Sequence, residues 1–275
     1  MFVDAPTRSI VASEGDANGA LKSVDGVFVG VLPVTQNVAN TAIEWSGVKW
    51  TQWLWPLPAD SSLRETLMAH ELFHRVQNKL DMPKRPEGQN AHLDALDGRY
   101  YMQLEWRALA RALESTSDKG RRAAARDALA FRAERYRIFP KAAAEEQALE
   151  QNEGLAEYTG VIVGNSTVIA RTKMAQHDLS AHVGDPTFVR SFAYATGPPY
   201  GMLLDRYSPG WHGALKNGDG FGVLLSRALC VATVSDLYDL ASPRAAQDDG
   251  APLRVTVMWR ERTLHEHVAG HRAQF

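Results

Sequence analysis

The sequence predicts an α+β fold that is rich in helix, with its β-strands gathered near the N-terminus. Residues 1–58 contain runs of β-branched and aromatic residues, among them VFVGVLPVT and TAIEWSGVKWTQWLWPLP, and such runs favour strands. From residue 59 onward, apolar residues recur at three- and four-residue spacings, which is the period of amphipathic helices. LRVTVMWRER, starting at residue 253, alternates again and predicts a C-terminal strand.

Composition narrows the classes of partner and of metal site. With a formal net charge of −2, the chain lacks the overall positive field that attracts nucleic acid, so no nucleic-acid partner is expected. Cys230 is the single cysteine, which excludes an intramolecular disulfide and a thiolate metal cluster. Any metal would therefore be held by histidine and carboxylate side chains.

We expect the chain to be a soluble protein. No stretch reaches the roughly 18 apolar residues of a membrane span, and the opening MFVDAPTRSI lacks the pattern of a signal peptide. We expect a cytoplasmic location for the chain as given, or export if a leader has been removed. The sequence does not indicate the oligomeric state.

One predicted helix, residues 59–80, contains the motif HELFH at positions 70–74. On an α-helix, positions i and i+4 differ by about 40°, so His70 and His74 project from one face and can bind one ion. Glu71 lies about 100° further round, where it can reach a water on that ion. A metal lowers the pKa of bound water, and a neighbouring carboxylate can accept the proton.

A second segment, EQNEGLAEYTG at 150–160, offers three carboxylates on a predicted helix. Glu150, Glu153 and Glu157 follow one another at spacings of three and four, so they share a face. A nearby cation would explain such a cluster of like charges. An acidic stripe that faces solvent is the alternative.

Together the two segments resemble the gluzincin clan of zinc metallopeptidases, whose members carry HExxH and, downstream, an asparagine-glutamate pair followed by an acidic residue four positions later. The resemblance implies one zinc ion, with His70, His74 and Glu153 as its ligands. It also implies that Glu71 is the general base. Glu157 would accept a hydrogen bond from the distal ring N–H of His70 and so fix its tautomer.

A third motif extends the resemblance to the aminopeptidase-like branch of the clan, in which a tyrosine three residues before a glycine steadies the oxyanion. Tyr194 has this spacing in YATG at 194–197, although the branch usually has lysine where threonine precedes the glycine here. A tyrosine that only packs between helices is the alternative. Tyr200, Tyr207 and His212 are rivals for the same role.

Two departures limit what the resemblance implies. A long segment, residues 75–152, separates the second histidine from the third ligand, and a helical hairpin at about 90–139 would fill it. The glycine-rich exopeptidase signature of the aminopeptidase branch is absent upstream of the HELFH helix, so aminopeptidase specificity is not implied. The substrate-binding residues stay unassigned.

The resulting prediction is a zincin-like metallopeptidase fold that hydrolyses peptide bonds in peptide or protein substrates. A β-rich part, 1–58, would pack its small sheet on the zinc-binding helix. A mainly helical part, 59–250, and a C-terminal strand segment, 251–275, would complete one catalytic unit. A zinc hydrolase of non-peptide amides or esters, and a non-catalytic binding module that contains zinc, are the alternatives.

Overall fold

The computed structural model describes residues 1–82, 85–231 and 234–272, with side chains described up to Thr263 except at 234–236. Helices and one small sheet form an α+β fold, as the sequence predicts. Contacts divide the chain into two compact units, Met1–Asp81 with Ala156–Met174, and Met82–Leu155 with Ala175–Phe275. No helix within the described ranges combines the length and the apolar character that a membrane span requires.

The first unit contains a sheet that has six strands among the described residues. In chain order they are β1 Phe2–Asp4, β2 Ser9–Ala12, β3 Lys22–Val24, β4 Val27–Val31, β5 Thr41–Trp45 and β6 Val48–Trp55. Their order across the sheet is β3-β4-β2-β1-β6-β5. Only the β1–β6 pair is parallel, with Val3 opposite Leu54. The core of this unit includes Val3, Ile10, Leu32 and Trp50, all at most 1% exposed.

Helix α1, Ser61–Gln77, packs against β5 and β6. Asp60 caps it, because its side chain accepts a hydrogen bond from the backbone N–H of Leu63 at 2.9 Å. Along this helix Thr66, His70 and Glu71 are buried. The buried side of α1 is therefore polar, and it carries the first histidine of the HELFH motif.

Helix α5, Leu155–Gly164, approaches α1 closely at Thr66. A Cβ atom added at Gly160 would come within 2.6 Å of the Thr66 carbonyl oxygen, and one added at Gly164 within 2.6 Å of the Thr66 nitrogen. Contacts this short are possible only for glycine. Two glycines one turn apart therefore bring α5 close enough to α1 for side chains of α5 to reach the histidine face.

The second unit is helical in its described residues. Its α-helices include α2 Leu96–Glu114, α3 Asp118–Ile138, α4 Ala142–Leu149, α7 Ser191–Tyr207, α8 His212–Leu215, α9 Phe221–Ala228, α10 Val234–Gln247 and α11 Gly250–Arg272. Helix α6, Val168–Ala181, continues from the first unit, short 3₁₀ turns span Ala91–Asp94 and His182–Gly184, and a π-helical turn spans Glu150–Gly154. Helices α2 and α3 pack against each other as a hairpin.

The strand predicted for residues 251–275 is wrong over the described residues, because α11 occupies most of that segment. Leu253 and Val257 are 4% and 3% exposed, one helical turn apart. Val255, which an alternating strand would place on their side, is 53% exposed. Burial at i and i+4 therefore decides the conformation over local β-propensity. Residues 273–275 lie outside the described residues.

A buried ion cluster holds α2, α3, α4 and the π-turn together. The Arg132 guanidinium donates to Glu105 at 2.8 Å and to both oxygens of Glu150 at 2.8 and 2.5 Å. Arg135 donates to both oxygens of Glu146, each at 2.7 Å. Burial opposes ionisation of Glu146, but Arg135 outweighs this effect and lowers its pKa to about 2. Each buried charge of this cluster is therefore stabilised by oppositely charged partners within the cluster.

We predict that Glu146→Gln lowers the free energy of unfolding by about 2–3 kcal/mol at pH 7, because the buried Arg135 loses one of its carboxylate partners and keeps Glu105 at 2.7 Å. Since the folded pKa lies below the ordinary 4.5, the ionic stabilisation is complete above that pH and is lost as the pH falls toward 2. Denaturant titrations of wild type and variant from pH 7 to 2.5 should therefore converge. Glu134→Gln, which removes a pair with the exposed Arg137, should cost less than about 1 kcal/mol; an equal cost for both variants would contradict the prediction.

Candidate metal centre

The two histidines of α1 point at each other through the same ring atom. Nε2 of His74 lies 3.1 Å from Nε2 of His70, and the ring centroids are 4.8 Å apart. His70 is 3% exposed, and His74 is half-buried. The i and i+4 spacing thus converges on one point in space, as helix geometry predicts.

The opposite ring atoms set the tautomers. Nδ1 of His70 lies 2.6 Å from Oε2 of Glu157, and Nδ1 of His74 lies 2.8 Å from Oε1 of Gln77. Both partners are acceptors, so they assign the ring proton of each neutral imidazole to Nδ1. Each Nε2 then presents a lone pair to the other.

Two lone pairs at this distance repel unless a positive charge lies between them. Two nitrogens bound to one tetrahedral zinc at about 2.0–2.1 Å are separated by roughly 3.3 Å, close to the 3.1 Å between His70 and His74. The imidazole pair therefore fits a bound cation.

Glu153 completes the group. One nitrogen of His70, one nitrogen of His74 and one carboxylate oxygen of Glu153 all lie within 4.8 Å of one another. Glu153 belongs to the π-turn that connects α4 to α5, about one turn before Glu157 on the same helical run. A π-turn inside a helix often marks a functional site.

Both oxygens of Glu153 also accept hydrogen bonds within the second unit. The Tyr194 hydroxyl donates to Oε2 at 2.7 Å, and Nη2 of Arg190 donates to Oε1 at 3.1 Å. Sequence reasoning missed Arg190. Its spacing of four residues before Tyr194 at the start of a helix was the available signal, although arginine at such a spacing is common.

Two glycines explain how Tyr194 reaches Glu153. A Cβ atom added at Gly197 would overlap the carbonyl oxygen of Gly154, and one added at Gly154 would lie 3.1 Å from the carbonyl oxygen of Ala193. Helix α7 therefore lies flush against the π-turn. The glycine of the YATG motif thus has a packing role.

The rival residues have other contacts. The Tyr200 hydroxyl donates to Glu105 at 2.8 Å in the buried ion cluster. The Tyr207 hydroxyl donates to Asp118 at 2.9 Å, and the His212 ring stacks on Trp211 at 4.0 Å. The Tyr194 hydroxyl, by contrast, donates to Glu153, the proposed third ligand.

The three carboxylates of the acidic segment have different surroundings, and none faces solvent. Glu150 is 2% exposed and binds Arg132 and Thr196. Glu153 is 9% exposed, and the Glu157 side chain is 13% exposed. The alternative interpretation of this segment, an acidic stripe that faces solvent, is therefore wrong. Glu71, beside the first histidine on α1, is 6% exposed.

Comparisons with known proteins add no family to this description. The sequence matches no family model and no curated protein, and the fold matches no solved structure. The chemistry of the site is therefore inferred from its own donor atoms.

We predict that Gly197→Ala destabilises the protein by about 1–3 kcal/mol, because the added methyl group forces α7 away from the π-turn. Gly213→Ala is the control, since a Cβ atom there has open space around it and alanine is the better helix former. Denaturant unfolding of the two variants measures the difference. A Gly197→Ala variant as stable as the control would contradict the close approach.

Proposed function

We propose that the protein is a zinc-dependent hydrolase of peptide bonds, with His70, His74 and Glu153 as ligands of one ion. The observation that carries the proposal is the pair of Nε2 atoms 3.1 Å apart, with a Glu153 oxygen in the same group. Two imidazoles and one carboxylate are a donor set that suits zinc and leaves a position for water. Bound zinc would lower the pKa of that water and polarise a carbonyl group.

A zincin-like arrangement is part of the proposal. Support comes from α1, which carries the HELFH motif and packs on the small sheet. Further support comes from helix α5, on which Glu157 contacts the His70 ring. This contact would orient the His70 ring and raise its basicity as a ligand.

Glu71 acts as the general base in this proposal. It accepts a proton from the attacking water, whose oxygen forms a bond to the carbonyl carbon of the substrate. Glu71 then delivers the proton to the amide nitrogen as the carbon–nitrogen bond breaks. Burial of Glu71 keeps its carboxylate away from competing solvent.

Tyr194 stabilises the charge that develops on the carbonyl oxygen. Its hydroxyl lies at the Glu153 carboxylate, so a small shift would let it donate to an oxygen beside that ligand. The helix packing at Gly154 and Gly197 holds the phenol in place.

The test compares wild type, Glu71→Gln and Glu65→Gln, the last being an exposed glutamate on the same helix. We expect about one zinc per chain in all three proteins. Because general-base catalysis contributes about 10²–10⁴ in rate, Glu71→Gln should lose at least about 100-fold in cleavage of a mixed peptide library followed by mass spectrometry. Glu65→Gln should cleave like wild type.

The other outcomes separate the alternatives. If the protein binds zinc and hydrolyses simple amides or esters but cleaves no peptide, its substrates are small amides or esters and not peptides. Zinc with no hydrolysis at all would indicate a binding module. Absence of zinc from the purified protein and after addition of zinc would contradict the metal centre itself.

A further inference from the structure

Arg190 is a positively charged residue that lies beside Glu153, the proposed zinc ligand. It directly precedes α7, and its side chain is 58% exposed. Nη2 lies 3.1 Å from Oε1 of Glu153, and Nη1 lies 3.4 Å from Oε2 of Glu87. The Asn152 amide donates to the other oxygen of Glu87 at 2.7 Å. Arg190 is therefore held from two sides by carboxylates.

These contacts use only part of the guanidinium. Arginine presents five N–H donors in a planar fork, and Arg190 makes one contact through each of two nitrogens, while its Nε donates to no described residue. Arg132 shows what a closed pair looks like in this protein, since both its terminal nitrogens bind the two oxygens of Glu150 at 2.8 and 2.5 Å. Arg190 thus has donors left for an incoming anion.

A carboxylate matches this fork, because arginine and carboxylate form two parallel hydrogen bonds, and a peptide substrate carries one at its C-terminus. If zinc engages Glu153 as proposed, the negative charge that faces Arg190 is shared with the ion. The guanidinium then has a weaker internal partner and a stronger preference for an external one.

We propose that Arg190 binds the C-terminal carboxylate of the peptide substrate, so that the enzyme removes residues from the C-terminus. This inference rests on the proposed function. Arg190 donates directly to Glu153, a proposed zinc ligand, so a carboxylate bound to the open side of the guanidinium lies near the ion that Glu153 would hold. One extended residue spans about 3.3–3.6 Å, so the peptide bond that precedes the terminal residue is the one within reach of that ion. Water adds its oxygen to that carbonyl carbon and a proton to the departing nitrogen, and one free amino acid is released.

The direct test is ligand binding to the zinc-loaded Glu71→Gln protein, in which cleavage does not interfere. The probes are N-acetyl-Ala-Leu with a free carboxylate and the same dipeptide as its C-terminal amide, with Kd measured by calorimetry. A hydrogen-bonded charge pair is worth about 10- to 100-fold in Kd. We expect the free acid to bind tighter by that factor, and Arg190→Gln in the same protein to remove the difference.

Two further variants make the result specific. Arg190→Lys keeps the charge but not the fork, so it should recover only part of the preference. Arg137→Gln is the matched control, since Arg137 is 56% exposed and also pairs with a glutamate, but contacts neither Glu153 nor Glu87. It should bind both probes like the parent protein.

Cleavage products give a second readout. Wild type should release single residues from the C-terminus of free peptides and act at least 10-fold more slowly on peptides with amidated ends. Equal Kd values for acid and amide, or a preference that follows a free amino terminus, would overturn the assignment of Arg190 while leaving peptide hydrolysis intact. Failure to cleave any peptide, with the Kd preference still present, would overturn the proposed function but not the carboxylate site.

Discussion

The centre depends on one constraint, the fixing of both imidazole rings by acceptors at Nδ1. Glu157 on α5 and Gln77 at the end of α1 each accept a hydrogen bond from the Nδ1–H of one ring, so both Nε2 lone pairs face the same point. Without those two contacts the rings could rotate or exchange tautomers, and the pair would not be preorganised for a cation. The close packing of α5 on α1 at Gly160 supports one contact, and helix periodicity supports the other.

The π-turn that carries the proposed ligand Glu153 is held by charge. The π-turn carries Glu153, and the residue three positions earlier, Glu150, is tied to Arg132 and Thr196. This buried ion cluster is stable only with its partners present, which makes the π-turn a rigid support for Glu153. Such rigidity would suit the proposed role of Glu153 as an ion ligand.

The features of the site that lie within one helix could be predicted from the sequence, because they follow from helix geometry. The spacing of His70 and His74 and the reach of Glu157 require only that two segments be helical and close. The π-turn and Arg190 could not be predicted, since both depend on contacts between distant segments. The C-terminal helix was missed for the same reason. The sequence around Val255 alternates between apolar and polar residues as in a strand, but burial of Leu253 and Val257 sets the conformation.

We propose above all that His70, His74 and Glu153 together hold one zinc ion. X-ray absorption at the zinc edge of the loaded protein tests it most directly, because imidazole rings give a characteristic scattering pattern. We expect a shell of nitrogen and oxygen atoms at about 2.0–2.2 Å that includes two imidazoles, and only one imidazole in His74→Ala. A spectrum without imidazole, or one that His74→Ala leaves unchanged, would contradict it.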